Sequence, residues 1–194
     1  MNLNRKCFGR LKKISLLAFF LIFLGTGGIY YYNSQRGNFH TVRENKVYRS
    51  GQLTALQLEF YVRDYGIRSV LNLRGKNESA GWWKDEVEAS RSLGLKHYDL
   101  ALSSKKEPTE NQIRQLLAIL NEAPKPILIH CQGGADRSGF ASAVYLYSFE
   151  GYPYQEAKKQ LSFLYGHVPV FRPLTRSMGT AFDRFCLNYK DGKI

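Results

Sequence analysis

Five consecutive residues, Pro126-Ile127-Leu128-Ile129-His130, limit the folds open to this chain more than any other segment. Prolines border the run on one side and a glycine-rich loop on the other, and its apolar residues are consecutive rather than alternating. A strand with one wet face alternates; a strand without polar positions predicts burial on both faces, and so a sheet with helices packed on either side. Such a strand feeding a loop and then a helix, here Ser138 to Phe149, is the repeating unit of parallel α/β architecture.

The remaining pattern agrees. Leu53 to Tyr65 carries apolar residues at helical spacing, with Thr54 as cap and Gly66 as stop. Ile67 to Leu73 alternates like a strand, Ala80 to Leu93 predicts a helix ended by Gly94, and Leu95 to Leu100 a strand. Thr109-Glu110-Asn111-Gln112 fits a capping box opening a helix through Asn121. Helices are also expected over Tyr154 to Leu164 and from about Thr175 to Tyr189. The expected fold class is therefore α/β, a central, mostly parallel sheet flanked by helices. Ligands of such sheets bind beyond the carboxyl ends of the strands, so the residues after His130 are where a site is expected.

Charge and cysteine usage narrow the chemistry. The formal charge is +12, of which residues 1–32 carry +5 with no acid; the remainder has 23 Lys/Arg against 16 Asp/Glu, or +7. That excess is scattered, so a nucleic-acid partner is not expected, and a basic surface that draws in phosphorylated substrates is the better reading. Cys7, Cys131 and Cys186 are too few and too widely spaced for a disulfide framework or a zinc site. Cys186, beside Phe182, Phe185 and Leu187, is expected in the core, and no metal site is expected.

Ile14 to Tyr32 is uncharged over 19 residues, nearly enough for a helix to cross a bilayer core of roughly 30 Å. Five cations precede it and Tyr30, Tyr31 and Tyr32 close it, as at a membrane interface. The expected organisation is a basic cytoplasmic tail over 1–13, a transmembrane signal anchor over 14–32 rather than a cleaved signal peptide, a linker over 33–46, and a catalytic domain over 47–190. The domain would lie on the non-cytoplasmic side, periplasmic in a bacterium, or be secreted if the segment is cleaved.

The loop after the buried strand reads His130-Cys131-Gln132-Gly133-Gly134-Ala135-Asp136-Arg137-Ser138-Gly139. Successive backbone N–H groups in a glycine-bearing loop can converge on one anion, and the following helix aims its N-terminal dipole at the same point. Gly133, Gly134 and Gly139 are expected to permit the curvature and close approach. The Arg137 guanidinium can take two phosphate oxygens at once. The same field ionises the Cys131 thiol, because cysteines at helix N-termini and beside cations have pKa values of ~3.5–7.5. Cys131 is thus placed to attack phosphorus and form a covalent intermediate that water later removes.

His-Cys-x5-Arg-Ser/Thr-Gly is the signature of the protein tyrosine phosphatase superfamily, and this chain resembles its compact, atypical dual-specificity branch of bacterial type. Val47-Tyr48-Arg49-Ser50-Gly51-Gln52 and Ile67 to Arg74 are similar to that branch's opening segments. The resemblance implies a cysteine phosphatase fold, with Cys131 as nucleophile, Arg137 as phosphate clamp, Ser138 bonded to the sulfur, and Gln132, Gly133, Gly134 and Ala135 as substrate-binding backbone. His130 is expected to brace the loop or to be a satisfied core histidine, and Arg74 to line the cleft. No cofactor is needed, because the loop and Arg137 supply the positive charge.

The general acid stays open between Asp99, Asp136 and Glu107, with Asp99 first. The loop contains an acid and no lysine, which disfavours a polyanion and tilts the substrate toward a monophosphate such as phosphotyrosine, with phosphoserine and phosphothreonine beside it. Lys105 and Lys106 offer charge for an inositol-phosphate or phosphoinositide alternative. A catalytically silent phosphate-binding module is disfavoured by the intact Cys131, Arg137 and Ser138. Trp82 and Trp83 are expected to pack.

Overall fold

In the computed structural model the described residues are 35–192 together with 16, 17, 19, 20, 25, 27 and 28. The chain divides into two compact units, residues 1–36 and 37–194. In the first, the described residues other than Arg36 are helical. The basic tail and most of the expected spanning segment lie outside the described residues, among which no helix is long and apolar enough to cross a membrane.

The second unit is an α/β fold. Its strands are β1 (His40–Arg43), β2 (Val47–Ser50), β3 (Ser69–Asn72), β4 (Lys96–Asp99) and β5 (Ile127–His130). Its helices are α1 (Ala55–Tyr65), α2 (Gly81–Ser92), α3 (Glu110–Glu122), α4 (Asp136–Phe149), α5 (Tyr154–Lys158) and α6 (Arg176–Lys190), with 3-10 turns at Phe163–Tyr165 and Pro173–Thr175. The sheet order is β1-β2-β5-β3-β4, parallel except for the antiparallel pair β1–β2. It is therefore a mixed sheet with a parallel centre.

β5 lies in the middle, which is why it has no polar face: Ile127 and Ile129 face one core and Leu128 the other, all at most 1% exposed. The larger core joins them to Leu71, Leu116, Phe140, Val144, Phe182 and Phe185; the smaller packs Leu128, Tyr48 and Val70 against Leu58, Tyr61 and Ala89. Thr54 and Thr109 both close capping boxes, with Gln57 and Gln112. In each the threonine hydroxyl accepts an otherwise unpaired N–H of the first turn.

The parallel register sets Ser50, His130, Asn72 and Asp99 in one row at the carboxyl edge of the sheet. Strands lie about 4.8 Å apart, so Asp99 on β4 sits about 10 Å along that row from His130.

Three expectations are corrected. The polar stretch 33–46 is not simply a linker, because His40–Arg43 pairs with β2, between Asn38 and Asn45, both at positive φ. α4 opens two residues early, at Asp136. The helix expected over Tyr154 to Leu164 ends at Lys158. Beyond it the backbone tightens to bonds three residues back, Gln160 N to Ala157 O at 3.1 Å and Leu161 N to Lys158 O at 2.9 Å, and the Gln160 carbonyl accepts from Arg49 Nη1 at 2.7 Å.

Candidate active site

Cys131 follows β5 directly, and the chain turns through residues 132–135 before α4 begins. Four successive carbonyls of this turn are pinned outward. Gln132 O accepts from Gln52 N at 3.1 Å and Gly133 O from Asn38 Nδ2 at 2.9 Å. Gly134 O and Ala135 O accept from Arg49 Nη2 at 2.8 and 2.9 Å. In a trans peptide the N–H points opposite to the carbonyl, so the amides of residues 133–136 are turned to the other side of the loop. That is the geometry of an anion-binding nest at the head of a helix.

Gly134 has φ 70, and a Cβ there would lie 2.5 Å from Gly51 N, so the left-handed turn and the close approach both require glycine. Gly139 meets a similar limit, 2.7 Å from Gln160 O. Gly133 does not: a Cβ there meets nothing within 4 Å, which corrects the expectation for that residue.

Cys131 is 3% exposed, with its Sγ 3.6 Å from Ser138 Oγ. Burial raises its thiol pKa, but the Arg137 guanidinium, the Ser138 hydroxyl and the Ser138 and Gly134 amides outweigh burial, leaving it below the ordinary range. Cys186 shows the contrast: burial pushes its thiol up to about 12.

Arg137 Nη1 donates to Leu73 O and Leu102 O, each at 3.3 Å, which ties the guanidinium to the loops after β3 and β4. Its Nε is buried and without a partner among the described residues. A buried N–H of that kind costs free energy until an acceptor reaches it, and an oxyanion held by the loop amides is an acceptor of the right sign.

A second cation stands nearby. Arg74 lies with Cζ 3.4 Å from the Trp82 ring centroid and donates from Nη1 to Gln52 Oε1 at 2.7 Å. Burial and, next, repulsion from Arg137 lower its pKa, while Glu86 and Cys131 act the other way. Arg74 therefore shares the field of Arg137 and the sulfur. Gln52 Nε2 donates to Glu86 Oε2, and Glu86 Oε1 takes Nε2 of both His130 (3.0 Å) and His97 (2.9 Å). Burial alone would raise the Glu86 carboxyl; His130 and His97 overcome it and hold the group at about 2. His130 is thus both buried and bonded, joining the strand before Cys131 to α2.

The three acid candidates lie apart. Asp99 accepts from Asn72 Nδ2 at 2.7 Å, and Trp83 Nε1 donates to both its oxygens at 3.1–3.2 Å. Glu107 is turned to Arg184, 3.4 Å away. Asp136, in the loop itself, has Oδ1 2.6 Å from His167 Nδ1. Lys105 and Lys106 lie exposed in the bend after β4. Among the described residues no cluster of three or more His, Cys, Asp or Glu is set to hold a metal ion.

Sequence reading missed Arg49, Glu86 and His167. Arg49 stands fully buried below the loop, with Nη1 on Gln160 O and Oε1 (2.7 and 2.8 Å) and the Tyr165 ring 4.4 Å from Cζ. Burial lowers its pKa to about 10, with Cys131, Tyr165 and Asp136 opposing, so it stays charged at neutral pH. Its only sequence signal was an arginine within a strand segment of the branch's opening motif.

Solved structures share this fold. TpbA of P. aeruginosa, as a cysteine-to-serine variant in complex with phosphotyrosine, is 18% identical, with a TM-score of 0.55 over 75% of this chain and 83% of that one. The catalytic core of the inositol-pyrophosphate phosphatase SIW14 of S. cerevisiae is 19% identical, with a TM-score of 0.57 over 81% and 94%. Tk-PTP in its active form is 18% identical, with a TM-score of 0.56 over 76% and 97%. No curated protein matches the chain. A family model described as DSP-PTPase phosphatase fused to NAD+ kinase matches residues 24–165. The chain therefore belongs to that family, a compact dual-specificity phosphatase branch of the protein tyrosine phosphatase superfamily.

Proposed function

We propose that the chain hydrolyses phosphate monoesters through a cysteinyl-phosphate intermediate, with phosphotyrosine as the favoured substrate group and phosphoserine or phosphothreonine beside it. The observation that carries this reading is the ring of outward-pinned carbonyls at Gln132, Gly133, Gly134 and Ala135, which turns the intervening amides toward one anion above Cys131. The Cys131 thiolate attacks phosphorus, the ester oxygen leaves, and a thiophosphate bond forms. The amides and Arg137 hold the equatorial oxygens through the transition state. Water then cleaves the thiophosphate, and the Ser138 hydroxyl, 3.6 Å from the sulfur, stabilises the departing thiolate.

The leaving oxygen takes its proton from Asp136 in this reading. Support comes from its place in the loop, directly before Arg137 at the opening of α4. Asp99 has both oxygens engaged by Trp83 and Asn72, and Glu107 faces Arg184. A required acid gives kcat/KM a basic limb that vanishes on mutation. Asp136→Asn is expected to lose that limb and Asp99→Asn to keep it; the reverse result reassigns the acid.

Arg74 favours a second reading, an inositol phosphate or phosphoinositide, because a second anionic group on the substrate would meet a cation stacked on Trp82. Two structural relatives bracket the same choice, one solved in complex with phosphotyrosine and one an inositol-pyrophosphate phosphatase. Comparing kcat/KM for an aryl phosphate, a phosphotyrosyl peptide and inositol phosphates decides it. Higher kcat/KM on the inositol phosphates than on the peptide would overturn the phosphotyrosine reading.

A further inference from the structure

Five exposed large apolar side chains fall within twelve residues: Phe163 (73% exposed), Leu164 (62%), Val170 (78%), Phe171 (84%) and Leu174 (62%). The stretch is not loosely held. The Tyr165 carbonyl accepts from Asn38 Nδ2 at 3.0 Å, and His167, 5% exposed, is fastened to Asp136 of the phosphate loop. Buried Thr175 donates from Oγ1 to Arg172 O at 2.8 Å. The apolar tips therefore protrude on either side of a pinned centre.

The charge around them has one sign. From Ala157 to Phe182 there is no Asp or Glu, and there are four Lys or Arg. Lys158 and Lys159 pair with Asp183 and Glu156, whereas Arg172 and Arg176, both exposed, make no ion pair among the described residues. Large apolar side chains interleaved with uncompensated cations are the composition of surfaces that lie on anionic membranes.

We propose that the segment from Phe163 to Arg176 seats the catalytic domain on an anionic phospholipid bilayer. Side chains this exposed protrude rather than line a groove, so a rigid protein partner would need a matching pocket for each, while a bilayer interface admits them anywhere. Arg172 and Arg176 flank Leu174 and meet lipid phosphates as the apolar tips enter. Asn38 and His40, which open the domain, touch Tyr165, the latter with ring centroids 4.9 Å apart. Through His167 and Asp136 the seated segment would set the phosphate loop close to the lipid surface, where membrane-borne phosphate esters are met.

The test uses the full chain with vesicles of phosphatidylcholine alone or with phosphatidylserine, following hydrogen exchange of the amides of residues 168–174. Association of the chain, read by flotation, reports on segment 14–32; protection of 168–174 reports on the proposal. Slower exchange is expected on phosphatidylserine vesicles, with the protection reduced about fivefold for each cation removed in Arg172→Gln and Arg176→Gln. A Val170→Ser, Phe171→Ser double variant should lose it and still turn over a soluble aryl phosphate. Exchange that is unchanged by saturating anionic vesicles, whether or not the chain floats with them, overturns the proposal. So does protection that follows protein concentration without lipid, which would assign the face to a second copy of this chain.

Discussion

Replacing Arg49 probes whether the shape of the phosphate loop, rather than the presence of its residues, creates the activity. Arg49 spans two clusters: Nη2 holds Gly134 O and Ala135 O, and Nη1 holds Gln160 O and Oε1. A lysine ammonium is one point and reaches one cluster, so Arg49→Lys loses two of the four bonds. Hydrogen bonds to a charged group are worth roughly 1.5–3 kcal/mol each, giving a destabilisation of about 3–6 kcal/mol, within reach of a domain stable by ~5–15 kcal/mol. Losing the Gly134 and Ala135 anchors frees the peptide planes that aim the amides of residues 135 and 136. Removing one preorganised oxyanion donor costs about 10²–10³ in kcat. Arg49→Lys is therefore expected to retain its fold by circular dichroism and lose on the order of 10²-fold in kcat/KM on an aryl phosphate. The loss should fall mainly on kcat. Arg49→Met also removes a cation that attracts the Cys131 thiolate, so in that variant the thiol pKa should rise, shifting the pH profile of iodoacetamide inactivation to higher pH. A folded Arg49→Lys with near wild-type kcat/KM, or a folded Arg49→Met with an unmoved alkylation profile, refutes the reasoning.

Three further outcomes follow from the same geometry. Ser138→Ala removes a donor that lowers the Cys131 thiol, so alkylation should shift to higher pH and burst kinetics should show slowed breakdown of the intermediate. Glu86 is held at about 2, below its ordinary 4.5, so its contribution is present above about pH 4.5 and disappears as pH falls toward 2. Denaturant titrations should show Glu86→Gln less stable than wild type by roughly 3 kcal/mol at pH 7, with the gap closing in acid; a pH-independent gap contradicts this. Arg74→Ala should weaken phosphate competition by about fivefold if its charge reaches the loop, and by nothing measurable if Arg74 only stacks on Trp82.

The route from sequence to site was legible where one segment had one physical solution. An unbroken apolar strand has to be central, a glycine turn after it has to expose amides, and Cys131, Arg137 and Ser138 take their places from that. Long-range pairing was not legible. Nothing local marks Arg49 as the residue whose guanidinium crosses to Gln160 and the loop carbonyls. The apolar spacing continues to Leu164, yet α5 stops at Lys158, where the next amides bond three residues back instead of four. β1 was hidden because its four residues, HTVR, are only half-buried and are set by two positive-φ asparagines rather than by apolar content. Asp99 was the leading acid on sequence position alone, and its ties to Trp83 and Asn72 appear only once β3, β4 and α2 pack.

The most direct test of the account is to quench a single turnover of a phosphorylated substrate in acid and map the phosphoryl group by peptide mass spectrometry. The prediction is one phosphoryl group, bonded to sulfur, on the peptide containing Cys131, accumulating further in Ser138→Ala and absent from Cys131→Ser. Turnover that persists in Cys131→Ser, or a phosphoryl group on any other residue, contradicts it.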